Sequence, residues 1–388
     1  MFQGDTQVET GTGDLTLEQA LTAAKAESGL SDFGDEAFLE PLQAFIDGVK
    51  RDLSLSAMGD INFRATVQRL LVNRLRIERD IRSYPEILDE DVSDPIMILG
   101  MPRTGTTKLQ RLLCCDGQFH GLPLWQLLNP APFDGERAGD PAQRLAFARA
   151  VEEATRANPA FTASHETSAL EVDEDSFLML MTFDYPLLFS LFPSRTYLHW
   201  VQQRDRSAAH RYQRRLLQYL QWQNGGRAGK RWILKNPGAI GCIAALQAVF
   251  PNITFVHSER SMLEVMPSYC RLMEAALTPL LESLDPISHG QDSLHYWQYE
   301  MQRFRDDVNE LGEDLRMLSV SYLDIVKDPM AVVRDIYSLC SLKLAADAEK
   351  AMASWQQSNR QHKHGKAQYS LEQYGLTSEQ IGLAFPSP

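Results

Sequence analysis

Gly100-Met101-Pro102-Arg103-Thr104-Gly105-Thr106-Thr107 sets two glycines, one arginine and three threonines within eight residues. The run follows the apolar stretch Ile96-Met97-Ile98-Leu99, and a helical pattern begins near Thr106. A strand, a Gly-rich turn and a helix start, in that order, aim backbone N–H groups and the positive end of a helix dipole at an anion. Arg103 can neutralise a phosphate, Gly105 permits close backbone approach, and the hydroxyls of Thr104, Thr106 and Thr107 can donate hydrogen bonds. The glycine spacing is that of a nucleotide-triphosphatase P-loop, but Thr106 stands where that motif needs lysine. That lysine reaches the β- and γ-phosphates. Its replacement argues for a phosphate-bearing ligand other than ATP or GTP.

A second constellation follows the apolar run Ile253–His257. Arg260 lies just past it, and Ser268 lies eight residues further on, about two turns into a helix. An arginine and a hydroxyl so placed can clamp another phosphate. With the first loop, they point to a ligand carrying two separate phosphates. Lys235 ends a third short apolar run, Trp232-Ile-Leu.

The elements that must position these residues alternate along the chain. Helices are expected over Leu15–Ser28, with Thr16 as N-cap, over Phe38–Val49, and over Asn62–Ile81, where apolar residues recur at helical spacing until Pro85. Strands are expected at Ile96–Leu99, Trp232–Leu234, Ile253–His257 and Met317–Val320. Helices are expected over Thr106–Cys115, Val172–Phe192, Ala208–Trp222, Ile240–Phe250, from His257 through Leu277, and over Pro329–Ser341. Short apolar strands alternating with helices predict an α/β fold, a P-loop-like parallel sheet with helices on both faces. Ligands in such sheets sit at the carboxyl ends of the strands, so the loops after Leu99, Leu234 and His257 should converge. The expected organisation is a disordered tail over residues 1–14, an N-terminal helical region over 15–90 packed on the core, and an α/β domain over 91–388.

The chain has 388 residues and a formal charge of −13, with no lysine- or arginine-rich block, which excludes nucleic acid as an expected partner. No apolar run reaches the ~18–20 residues of a membrane span. Met1–Asp14 lacks the basic and apolar regions of a secretory leader. Five cysteines without CxxC spacing fit a reduced, cytoplasmic protein.

These segments together resemble PAPS-dependent sulfotransferases, of the bacterial branch related to tyrosylprotein sulfotransferases. Ile98–Thr107 resembles the family's 5′-phosphosulfate loop, and Arg260 through Ser268 to Leu272 its 3′-phosphate motif. Trp232-Ile-Leu-Lys235-Asn-Pro237 resembles its central strand and lysine, and Ser321–Pro329 a late strand and helix start. The likeness extends to Ser31–Asp35 and Tyr369–Leu376, nearly all of the chain beyond residue 28.

The resemblance implies in-line transfer of a sulfuryl group from PAPS to a hydroxyl or amine of a small-molecule acceptor, leaving 3′,5′-adenosine bisphosphate, with no metal required. It implies PAPS binding by Arg103, Thr104, Gly105, Thr106, Thr107, Arg260 and Ser268, with Lys235 stabilising the sulfuryl or bridging oxygens. The acceptor's base is less regular. Relatives commonly carry a glutamate after a tryptophan about twenty residues past the loop; here Trp125 is followed by Gln126, which cannot accept a proton at neutral pH. The histidine that often follows the Lys-x-Pro strand end is also missing, since Lys235-Asn-Pro-Gly-Ala239 has none. His165 is the remaining candidate, with Glu166 or Glu171 to orient it. Lys108 is expected to contact PAPS, to meet an acidic acceptor or to be solvated, and Lys363–Lys366 to close over the nucleotide or to form a surface turn. Tyr296, Trp297 and Phe177–Met181 line either the core or the acceptor pocket. Two other readings of the same scaffold are sulfation that drives elimination or cyclisation, and nucleotide binding without turnover.

Overall fold

Five short strands build one parallel sheet: β1 Ile96–Leu99, β2 Phe119–His120, β3 Arg231–Lys235, β4 Thr254–Glu259 and β5 Met317–Ser321, in the spatial order β2-β3-β1-β4-β5. The computed structural model describes residues 14–136, 139–163, 165–359 and 369–386. The tail 1–13 and the segment Lys363–Lys366 therefore lie outside the described residues.

Both faces of the sheet are buried, and the period of two along each strand divides them. Met97, Leu99, Trp232, Leu234 and Phe255 enter one apolar cluster, while Ile96, Ile98, Ile233, Val256 and Val320 enter the other. The second cluster is closed by Leu109, Leu112 and Leu113 of a helix over Thr106–Leu113 and by Val332, Val333 and Ile336 of the helix Pro329–Leu339. The first is larger and includes the N-terminal helices α1 Leu17–Ser28, α2 Leu39–Asp52 and α3 Ala57–Ser83. Thr16 caps α1 through a reciprocal pair with Gln19. Phe45 of α2 packs edge-on against Phe63, Phe192 and Tyr197 at centroid distances of 5.2–5.8 Å, which ties α2 and α3 to the middle of the chain.

Central β1 pairs with β3 on one side and β4 on the other, with Ile98 opposite Lys235 and Leu99 opposite His257. The loops after Leu99, Lys235 and Glu259 thus leave the same end of three adjacent strands.

The expected continuous helix over Val172–Phe192 is not present. It is replaced by short turns at Ser176–Met179, Leu180–Thr182 and Leu188–Leu191, with Phe183 left-handed at φ 52°. The residues before Ser176 are held extended by partners distant in sequence. Leu124 N–H donates to Glu171 O, Asp173 N–H to Leu122 O, and Asp175 N–H to Lys235 O. The helix expected from Ile240 starts at Ile243, after a 3-10 turn over Pro237–Cys242. A 26-residue helix, Pro286–Leu311, has no counterpart in the sequence reading, although Asp285 as N-cap and Pro286 at its first position announce it.

Candidate active site

The loop after β1 is braced from within. Gly100 has φ 144°, and a Cβ there would sit 2.7 Å from Ser258 O on β4. Thr104 donates its hydroxyl to Met101 O at 2.7 Å, and Ser258 Oγ donates to Thr104 O at 2.5 Å. The Thr104 side chain is therefore engaged inside the loop. Gly105, at φ 90°, precedes the helix Thr106–Leu113, whose first N–H groups receive no side-chain cap. Such uncapped donors are suited to an anion. Arg103 is left-handed at φ 74°, uncommon for a residue with a side chain, and the loop's own hydrogen bonds hold it there.

Arg103 joins the two segments expected to bind phosphate. Its Nε donates to Ser268 Oγ at 3.2 Å, and Arg260 Nη1 donates to Arg103 O at 2.9 Å. Ser268 is buried on the helix Met262–Leu277. The Arg260 guanidinium lies 4.2 Å from the centre of the Tyr322 ring, and its Nε meets Glu264 at 3.3 Å. Burial, and then the neighbouring charge of Arg260, hold the Arg103 pKa below its ordinary value.

Lys235, the last residue of β3, is only 1% exposed, and its Nζ meets Glu174 Oε1 at 2.5 Å. Glu174 belongs to the extended acidic run and keeps 21% of its side chain open to solvent. Sequence reasoning missed it because that run was read as helical. The one available signal was the density of acids in Glu171-Val-Asp-Glu-Asp175.

His165 is partly exposed, and its ring lies 5.5 Å from that of Phe161. Its pKa is lowered by burial first; Asp173 and Glu174 oppose the shift, while Lys235 and Arg103 add to it. His165 thus shares an electrostatic neighbourhood with the loop and the strand-end lysine. Its expected orienting partners turn elsewhere: Glu166 and Glu171 approach Arg111 at 3.8 and 3.6 Å. Gln126 is buried and donates to Asn224 Oδ1 at 3.2 Å. Lys108 donates to Ile325 O at 3.1 Å, and burial lowers its pKa. Tyr296, Trp297, Leu178, Met179, Leu180 and Met181 are core residues. Among the described residues no group of three or more His, Cys, Asp or Glu side chains is arranged to hold a metal ion, and no helix is long and apolar enough to cross a membrane.

The comparisons with known proteins show the family and the fold. The model of a sulfotransferase family matches residues 95–347, a span holding the loop, Lys235, Arg260 and Ser268. The chain is similar to the omega-hydroxy-beta-dihydromenaquinone-9 sulfotransferase Stf3 of Mycobacterium bovis and of Mycobacterium tuberculosis, at 30% identity over 296 residues, 74% of this chain and 71% of the relative. Its fold is similar to sulfotransferase STF1 from Mycobacterium tuberculosis H37Rv, at 27% identity and a TM-score of 0.84, covering 96% of this chain and 99% of that one. Sulfotransferase STF9 from Mycobacterium avium is 27% identical with the same TM-score of 0.84, covering 98% of this chain and 96% of that one. With a family match over residues 95–347 and relatives alike in sequence and α/β fold, the chain belongs to the sulfotransferase family.

Proposed function

We propose that this enzyme moves a sulfuryl group from PAPS to a hydroxyl of a small-molecule acceptor. The observation that carries the reading is the Arg103 junction, where the side chain and carbonyl of Arg103 join the loop to Ser268 and Arg260. A donor with phosphates at both its 5′ and 3′ positions needs two such anion sites a fixed distance apart. A nucleoside triphosphate needs the lysine that Thr106 replaces. The left-handed Gly105 and the uncapped helix start suit close backbone approach to one phosphate. PAPS, when bound, supplies the activated sulfuryl group and a phosphate leaving group.

The chain's own residues position and stabilise charge. Arg103 and the N–H groups of Thr106 and Thr107 face the 5′-phosphate end, and Arg260 and Ser268 the 3′ end. Lys235, nearly buried, strengthens any charge interaction it makes. Two groups can take the acceptor's proton. His165 is held neutral, as a base must be. Glu174 lies directly against Lys235. We assign the proton to Glu174 first, because an anionic donor drawing on Lys235 leaves that carboxylate free to accept. His165 then serves as a neighbour that tunes it.

The relative's name makes a hydroxylated dihydromenaquinone the first acceptor to assay, followed by a panel of alcohols and phenols. The test is product mass together with release of 3′,5′-adenosine bisphosphate. A gain of one sulfo group supports transfer as the final outcome. Loss of water supports elimination or cyclisation. Bisphosphate binding without turnover of any acceptor supports a non-catalytic relative.

A further inference from the structure

Glu174-Asp175 and Lys235-Asn236 lie side by side like two rungs of a ladder. The outer rung is the Glu174–Lys235 contact at 2.5 Å. The inner rung is Asn236 Nδ2 donating to Asp175 Oδ2 at 3.2 Å, and the Asp175 N–H donates to Lys235 O at 3.2 Å. Asp175 is fully buried and is gripped from a third direction by Gln213 Nε2, which donates to the same Oδ2 at 2.6 Å. Each gripping group has its own orienting contact. His210 Nδ1 donates to Gln213 Oε1 at 2.8 Å, which leaves the Gln213 amine facing Asp175. Tyr185 OH donates to Asn236 Oδ1 at 2.5 Å, which leaves the Asn236 amine doing the same.

This carboxylate is poorly suited to a purely structural task. Its Oδ1 is buried without a hydrogen-bond partner, a destabilising arrangement that an apolar side chain of the same shape would avoid. Burial pushes its pKa up to about 6, against the opposing hydrogen bonds of Asn236 and Lys235. What the carboxylate achieves is registration: it fixes the two residues next to Glu174 and Lys235 through amide donors whose orientation is already set.

We propose that Asp175 is a positioning residue of the transfer site, setting Glu174 and Lys235 side by side through Asn236 and the Lys235 backbone. The proposal rests on the roles assigned above to Glu174 and Lys235. It assigns Asp175 to the reacting end of the site and not to the grip on phosphate, which belongs to Arg103 and Arg260.

The test uses the full chain with Asp175→Ala, Asp175→Asn and, as a core control on the same helix as Gln213, Leu216→Ala. Rates are read as bisphosphate release with PAPS and the best acceptor of the panel, and binding as the Kd of 3′,5′-adenosine bisphosphate. For Asp175→Ala, kcat should fall about 30-fold or more while the Kd and the KM for PAPS stay within about twofold. Asp175→Asn keeps an oxygen for both amide donors and should recover kcat to within about threefold of the parent. Equal loss of kcat in Asp175→Ala and in Leu216→Ala at matched thermal stability overturns the proposal. So does failure of Asp175→Asn to recover. If Asp175→Ala does not fold, Gln213→Met decides: it should lower kcat about fivefold at unchanged Kd, and an unchanged kcat overturns the proposal. A parent protein that does not bind the bisphosphate instead sinks the functional reading itself, and this proposal with it.

Discussion

Arg103 and Ser268, 165 residues apart in the chain, meet at 3.2 Å between Nε and Oγ. This contact joins two candidate anion motifs that are distant in the chain. It also lets each motif be tested through the other.

Arg260→Ala should raise the Kd for 3′,5′-adenosine bisphosphate by about 10- to 100-fold, as expected for loss of a charge-assisted contact, and Ser268→Ala by less, about fivefold. Titration calorimetry at two salt concentrations checks both. The Arg260 effect should shrink at high salt, where charge is screened. Unchanged affinity in Arg260→Ala would refute the 3′-phosphate assignment.

Gly105→Ala should damage the loop. The position has φ 90°, and its Cβ would come within 3.2 Å of the Tyr322 ring. A penalty of about 1–3 kcal/mol is expected from the backbone alone. Gly117→Ala, whose Cβ would meet nothing within 4 Å, should change stability by less than about 1 kcal/mol. Thermal denaturation of the two variants side by side decides the point.

Glu174→Gln should lower kcat by about 10²- to 10⁴-fold, measured as bisphosphate release, while His165→Ala should have a smaller effect. The reverse order of losses, with kcat falling further in His165→Ala, would transfer the base to the histidine.

His210 is buried with its pKa lowered to about 4, against an ordinary 6.5. The unfolded chain therefore binds a proton that the folded chain refuses between those values. The stability that neutral His210 allows is present above pH 6.5 and is lost as pH falls toward 4. Relative to His210→Gln, the parent should lose on the order of 3 kcal/mol across that window. Denaturant titrations of both proteins at pH 7, 5 and 4 measure the difference; a constant gap between them would show that His210 does not titrate in this way.

Arg206 and Glu300 form a fully buried pair at 2.5 Å that locks the helix Pro286–Leu311 behind the turn following Lys235. Arg206→Met alone should cost about 3–5 kcal/mol, because it strands the Glu300 charge. Adding Glu300→Leu should restore most of that loss, which a double-mutant cycle in urea would show.

The parts of this protein readable from sequence are those whose information is local. Short apolar runs bounded by Gly, Pro and charge become β1, β3, β4 and β5, and their parallel direction follows from the helices between them. The Arg103–Thr107 turn and the Arg260/Ser268 spacing could be read as candidate anion sites from sequence, because backbone geometry and residue type suggest that chemistry. Tertiary structure decided what depends on distant partners. β2 is two residues long and exists only through its pairing with β3. The run Glu171–Asp175 is not helical because Leu122, Leu124 and Lys235 exchange backbone hydrogen bonds with it, and no periodicity within the run encodes that. For the same reason Glu174 reaches Lys235, Glu166 and Glu171 turn to Arg111, and Gln126 turns to Asn224. A side chain's charge is written in the sequence; the group it faces is chosen by the packing of elements far apart in the chain.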